Sequence, residues 1–71
     1  MKRRKTSKLL HEGQYAAEVE IELIEEEGGW SPYISPGDAQ KLDDVREALR
    51  NGDLRTAGRL ARVYELTPIA V

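Results

Sequence analysis

With 71 residues the chain is long enough for one domain, and a domain of this length buries only about 60% of the surface its unfolded form exposes, so a bound partner or a second copy would add usefully to a modest stability. It has no cysteine, which excludes disulfides, thiolate catalysis and cysteine-ligated zinc, and a single histidine, His11, which cannot build a metal site by itself. The formal net charge is only −2, but it is segregated: Lys2, Arg3, Arg4, Lys5 and Lys8 cluster at the start, whereas residues 12–27 hold seven glutamates and neither lysine nor arginine, so partners meet patches and not a uniform field.

No apolar stretch approaches the roughly 20 residues needed to cross a bilayer. The basic start runs only into Leu9-Leu10 before the next charged residues, which is not the apolar region of a signal peptide. The chain is therefore expected in the cytoplasm, and the intracellular setting agrees with the lack of cysteine.

In chain order, residues 1–7 offer nothing to bury and are expected to form a flexible basic arm, with a single small domain over residues 8–71. Lys8-Leu9-Leu10 is a candidate short strand and His11-Glu12-Gly13-Gln14 its turn. Residues 14–25 then alternate: Ala17, Val19, Ile21 and Leu23 interleave with Glu18, Glu20 and Glu22. A period of two is that of a strand with one face on a core and one in water. Gly28-Gly29 predicts a two-residue turn that would place Leu23 opposite Ile34 and Ile24 opposite Tyr33. Pro32 lacks an amide donor, so a strand over residues 30–34 belongs at an edge.

Ser35-Pro36-Gly37-Asp38 carries the marks of a helix start: a capping hydroxyl, a proline in the first turn and a carboxylate beside the amide ends. Ala39, Leu42, Val45, Ala48 and Leu49 give the first helix an apolar stripe, and Asn51-Gly52 supplies its stop. Asp53 caps a second helix with the apolar set Leu54, Ala57, Leu60, Ala61 and Tyr64, ended by Thr67-Pro68. The fold class expected is α+β: a small antiparallel sheet, hairpin or three-stranded meander, packed on two C-terminal helices through Val19, Ile21, Leu23 and Ile34. The Ile69-Ala70-Val71 tail packs as an added arm or frays.

Two sets of residues are candidate sites. Glu18, Glu20 and Glu22, with Ile24, Trp30 and Tyr33, form a surface for a basic protein partner such as a ribonuclease toxin, or else an ordinary solvated sheet face. Lys2, Arg3, Arg4, Lys5 and Lys8, with Arg55, Arg59 and Arg62 at helical spacing on the second helix, form a phosphate-contacting set, or else a solubilising surface. Tyr33 beside Ile24 on a polar face also suggests cover, either by a second copy of the chain or by a partner, which makes a homodimer a further expectation. No nucleophile and base, paired carboxylates in a cleft or metal ligands occur together, so no enzyme, catalytic residue or cofactor is expected.

The block from Leu49 to Ala57 with the later Glu65-Leu66-Thr67-Pro68 resembles half of a tetratricopeptide-type helix pair, which implies a packing style only. The strand, the Glu26-Glu27-Gly28-Gly29-Trp30 turn, the edge strand and the Asp38-Ala39 helix start resemble the hairpin-then-helix core of HicB-type antitoxins. That resemblance implies a small acidic protein that neutralises a ribonuclease toxin and regulates its own operon. Two functions thus stand side by side: an antitoxin-like interaction module, and a nucleic-acid-binding regulator.

Overall fold

The computed structural model describes residues 2–29 and 31–70. Strands β1 (Lys2–Glu12) and β2 (Tyr15–Glu25) pair antiparallel along their whole eleven-residue lengths, from Lys2 opposite Glu25 to Glu12 opposite Tyr15. Only Gly13 and Gln14 join them. Gly13 has φ of 60°, and no non-glycine residue among those described has a positive φ, the combination a type II′ hairpin turn requires.

This corrects the expectation of a flexible arm over residues 1–7 and a strand beginning at residue 8. Residues 2–7 belong to β1. Alone the basic run has nothing to bury, but beside β2 it faces glutamates: Arg3 reaches Glu22 at 3.2 Å, Arg4 reaches Glu25 at 3.3 Å and Lys5 reaches Glu20 at 3.9 Å. Each pair is diagonal across the ladder, the spacing that long side chains span.

β3 (Tyr33–Ile34) pairs with β2 in the expected register, Leu23 to Ile34 and Ile24 to Tyr33. The turn before it is displaced by one residue. Gly29 N donates to the Glu26 carbonyl at 2.8 Å, which puts Glu27 and Gly28 at its centre. Gly28 has φ of 76°, as the third position of a type II turn demands, and a Cβ on Gly29 would sit 2.9 Å from the Glu26 oxygen. The ladder then stops short at Tyr33, where Pro32 has no amide to continue it.

Helix α1 (Pro36–Arg50) begins as its sequence dictates, with Ser35 Oγ accepting from Asp38 N at 3.2 Å. It ends in a Schellman motif: Gly52 N donates to Leu49 O at 3.1 Å and Asp53 N to Ala48 O at 2.8 Å, with Gly52 at φ 71°. Asp53 then caps α2 (Leu54–Leu60), accepting from Thr56 N at 3.2 Å and from Thr56 Oγ1 at 2.6 Å.

The second helix is shorter than its apolar spacing predicts. Ala61 is extended at φ −155° and ψ 169°, and residues beyond it form β4 (Arg62–Glu65), paired with the first turn of β2 so that Val63 faces Ala17 and Tyr64 faces Ala16. Valine and tyrosine favour a pleated, half-buried surface, and β2 offers an open edge there, so tertiary pairing overrides a helix already weakened by Gly58. Tyr64 consequently lies on the face of the sheet opposite the core and is 42% exposed, not packed beneath the helices.

The result is an α+β fold with a four-stranded antiparallel sheet. β1 flanks β2 on one side; β3 and β4 share its other side at opposite ends. The helices cover one face. The core there joins Leu10, Ala17, Val19 and Ile21 to Leu42, Val45, Ala48, Leu49 and Ala57, with Ile34, Leu60 and Val63 packed around them. Leu23, expected in this core, is only partly buried at its margin beside Ile34. Ile69 is 86% exposed, so Ile69 and Ala70 form an unpacked extension, and Val71 lies outside the described residues. The radius of gyration is 14.4 Å, against about 11 Å for a compact chain of this length, and the extents of 48 × 30 × 15 Å describe a thin slab.

Replacing Ile21, 4% exposed, with alanine should cost roughly 2 to 5 kcal/mol in urea unfolding. A change below half a kcal/mol would place Ile21 outside the core. A second expectation concerns acid. Arg50 Nε lies 3.1 Å from Glu12 Oε1, tying the hairpin end to the end of α1, and that hydrogen bond holds the Glu12 carboxyl below its ordinary 4.5. The bonds from Thr56 hold Asp53 below its ordinary 3.8. A carboxylate favoured in the folded state stabilises above its unfolded pKa and loses that contribution as pH falls through the folded value. The melting temperature should therefore be flat above pH about 5 and fall through the acid range below it, and Glu12→Gln should lessen the fall.

Candidate binding surface on the open sheet face

Side chains alternate along β2, so Ala16, Glu18, Glu20, Glu22 and Ile24 share the face away from the helices. Cross-strand pairing sets Arg3, Lys5, Ser7, Leu9 and His11 of β1 beside them, Arg62 and Tyr64 of β4 at one end, and Tyr33 of β3 at the other. Three carboxylates, those of Glu18, Glu20 and Glu22, thus face three cations, those of Arg3, Lys5 and Arg62. Two of these glutamates are paired within the chain, Glu22 with Arg3 and Glu20 with Lys5. The pairs are exposed, with side-chain exposures of 56% and 37% for Arg3 and Glu22 and 74% and 68% for Lys5 and Glu20, so each contributes little stability and is weakened by salt.

The sequence-predicted residues distribute as follows around this face. Glu18 and Glu20 are exposed on it, Glu22 is partly buried and Tyr33 is 46% exposed at its edge. Ile24 is not available to a partner: it is 5% exposed, flanked by Arg3 on one strand and Tyr33 on the other. The aromatic ring beside it covers it from within the chain. Trp30 lies outside the described residues. Tyr33 donates its hydroxyl to Glu26 Oε1 at 3.0 Å, and that bond holds its ionisation above the usual phenol value.

Of the cationic set, Arg3 and Lys5 point to the open face and Arg4 to the other, paired with Glu25; Lys2 and Lys8 share the face of Arg4. Arg55 and Arg59 are exposed on α2. Arg62 is not on the helix with them; it sits on β4 directly opposite Glu18, so the three arginines form no helical stripe. An open cleft of about 960 Å³ nevertheless collects Lys5, Glu18, Glu20, Lys41, Arg59 and Arg62, bringing members of both predicted sets to one place. Its mixed charge suits a polar or charged protein surface. Among the described residues no group of histidine, aspartate and glutamate is placed to hold a metal ion.

Two residues that the sequence did not single out as site-forming position this face. Between β4 and β3 the edge of β2 has no strand beside it among the described residues, and α1 fills the gap: Asp38 Oδ2 accepts from Glu22 N at 2.7 Å, and Lys41 Nζ donates to Glu20 O at 2.8 Å. Side chains one turn apart on the helix thereby satisfy a donor and an acceptor that a fifth strand would otherwise take. Asp38 was legible as a first-turn carboxylate, but nothing local indicates its bond to an amide sixteen residues earlier. Leu9, Tyr64 and Leu66 were also missed. They are 65%, 42% and 44% exposed, and Leu66 N donates to Gln14 O at 2.7 Å, which carries the β4 ladder one rung further.

The chain matches no family model, no curated protein and no solved structure.

Asp38→Ala removes the partner of a partly buried amide, and an orphaned donor of this kind costs about 1 to 3 kcal/mol. Urea unfolding should show a loss of that size, greater than the loss from Asp44→Ala on the exposed side of the same helix. Equal losses would show that the Glu22 amide is satisfied by water.

Proposed function

We propose that the chain is a protein-interaction module of the antitoxin kind, which binds a basic, toxin-like protein through the open face of its sheet. The observation that carries this reading is the face itself: Glu18 and Glu20 are exposed with Leu9 beside Glu18, Tyr64 at one end and Tyr33 at the other, and no helix among the described residues covers them. Large exposed apolar side chains rimmed by charge are the ordinary makings of a protein interface. The resemblance to HicB-type antitoxins supplies the class of partner, a small ribonuclease. A cytoplasmic location and the lack of catalytic activity belong to the same proposal. Among the described residues no helix is long and apolar enough to cross a membrane.

The alternative, a nucleic-acid-binding regulator, draws less support from the arrangement. Arg3, Arg4 and Lys5 are already paired with carboxylates, and Arg62 stands apart from Arg55 and Arg59 on a different element. Phosphates would have to displace three glutamates to reach Arg3, Arg4 and Lys5. Of the predicted cationic set, Lys2, Lys8, Arg55, Arg59 and Arg62 make no ion pair among the described residues, and they are spread over β1, α2 and β4.

The test is titration calorimetry of the chain against the product of a neighbouring reading frame that encodes a small basic protein. Binding should weaken at least about tenfold in Glu18→Lys/Glu20→Lys, equivalent to ~1.4 kcal/mol, and weaken with salt in the unaltered protein. Tyr33→Ala should reduce affinity while leaving the far-UV circular dichroism unchanged. Failure of the two proteins to associate, or an affinity indifferent to all three substitutions, would contradict the proposal.

A further inference from the structure

β1 is an edge strand of eleven residues, and among the described residues its outer side is paired with nothing. The groups on that side can be identified. Glu22 N and Glu20 O point to Asp38 and Lys41 on the far side of β2, so the even-numbered residues of β2 turn their backbone groups away from β1 and the odd-numbered ones turn toward it. Because odd residues of β2 lie opposite even residues of β1, the residues whose amides and carbonyls face outward are Arg3, Lys5, Ser7, Leu9 and His11. Such an open row is a template for another strand.

Lysine on an edge strand commonly blunts it against pairing, but the charges on this one are arranged to select a register. We infer that two copies of the chain pair through β1, antiparallel about a two-fold axis at Ser7, to make one continuous sheet across both. This is the one register that pairs all eleven residues, and it keeps the open faces of the two sheets on the same side. It sets Lys2 opposite Glu12, Arg4 opposite Leu10, Lys5 opposite Leu9 and Thr6 opposite Lys8. No lysine or arginine meets another. Sliding one copy by two residues brings Arg4 against Lys8 in one direction and Lys8 against itself in the other, and a slip of one residue sets the outward-facing groups of one copy against residues of the other whose groups face inward, so no ladder forms.

The surroundings of the edge agree with this occupant. Arg4 and Lys8 are exposed on the helix side of β1, so no helix overhangs the edge. Leu9, 65% exposed on the open face, gains the aliphatic stem of the partner copy's Lys5. About ten new backbone hydrogen bonds close the row. The other edge strands among the described residues, β3 and β4, are two and four residues long, so a homodimer built on residues 30–34 has almost no ladder to extend. The dimer partly covers Leu9 but leaves Glu18, Glu20, Tyr33 and Tyr64 open, and it stands or falls without the proposed function.

The test uses the full chain, which has no native cysteine. Ser7→Cys places the two thiols on the axis, where opposed Cα atoms of a hydrogen-bonded pair lie about 5.5 Å apart, within disulfide range. Mild oxidation should convert most of the protein into a covalent dimer on non-reducing gels, whereas Glu27→Cys, in the distant turn, should remain monomeric. Sedimentation velocity at about 100 μM should show a dimer for the unaltered chain, and Leu9→Lys, which sets a second ammonium against Lys5, should raise its dissociation constant at least tenfold. Leu9 is exposed, so that variant folds. A chain that sediments as a monomer, a dimer indifferent to Leu9→Lys, or equal cross-linking through residues 7 and 27 would overturn the inference.

Discussion

Everything in this molecule is arranged around the need to satisfy the backbone of β2 on both sides. One side is simple, because β1 runs beside it for all eleven residues. The other side is assembled from three unrelated pieces: β4 at the start, the Asp38 and Lys41 side chains of α1 in the middle and β3 at the end. The central piece fixes more than two hydrogen bonds. Asp38 also stands in the first turn of α1, where Ser35 caps its own amide, so the carboxylate bridges the start of the helix to the strand and sets where the apolar stripe of α1 meets Val19 and Ile21. Leu42 and Val45 lie one turn and two turns further on and are buried there.

Charge is organised by the same ladder. A strand of consecutive lysines and arginines and a strand of alternating glutamates are each unfavourable beside a copy of themselves, because like charges directly opposite repel. Side by side they neutralise one another. The benefit per pair is small at such exposure, so the zipper acts on register and orientation more than on stability. It also changes what the open face presents to the outside. Instead of an anionic stripe, a partner meets carboxylates with cations at their flanks and apolar groups at the two ends, a pattern better matched to a protein surface than to a phosphate backbone. The same rule applied to the free side of β1 distinguishes one self-pairing register from its neighbours.

Much of this was legible locally. The alternation from Ala17 to Leu23, the cap at Ser35, the stop at Asn51-Gly52 and the cap at Asp53 each depend on residues within one turn or one strand, and the fold class and the Leu23 to Ile34 register follow from them. What was not legible depends on distant residues. Lys2 to Lys5 read as an arm because their glutamate partners lie about twenty residues away in sequence; Arg62 to Glu65 read as helix because the open edge of β2 that recruits them is some forty-five residues distant. The site suffered in proportion: Glu18, Glu20 and Tyr33 were placed on an accessible face, but the burial of Ile24 and the anchoring by Asp38 and Lys41 required the assembled sheet.

The most direct measurement is residue-resolved hydrogen exchange along β2. Among the described residues the Glu22 amide has no strand beside it, yet if Asp38 holds it, it should exchange as slowly as the β2 amides of Val19 and Ile21 that pair with β1, and it should exchange at least tenfold faster in Asp38→Ala while those two change together by a smaller common factor. A Glu22 amide that exchanges at the rate of an open edge in the unaltered protein would contradict the arrangement of α1 against the sheet, and with it the placing of the face on which the binding proposal rests.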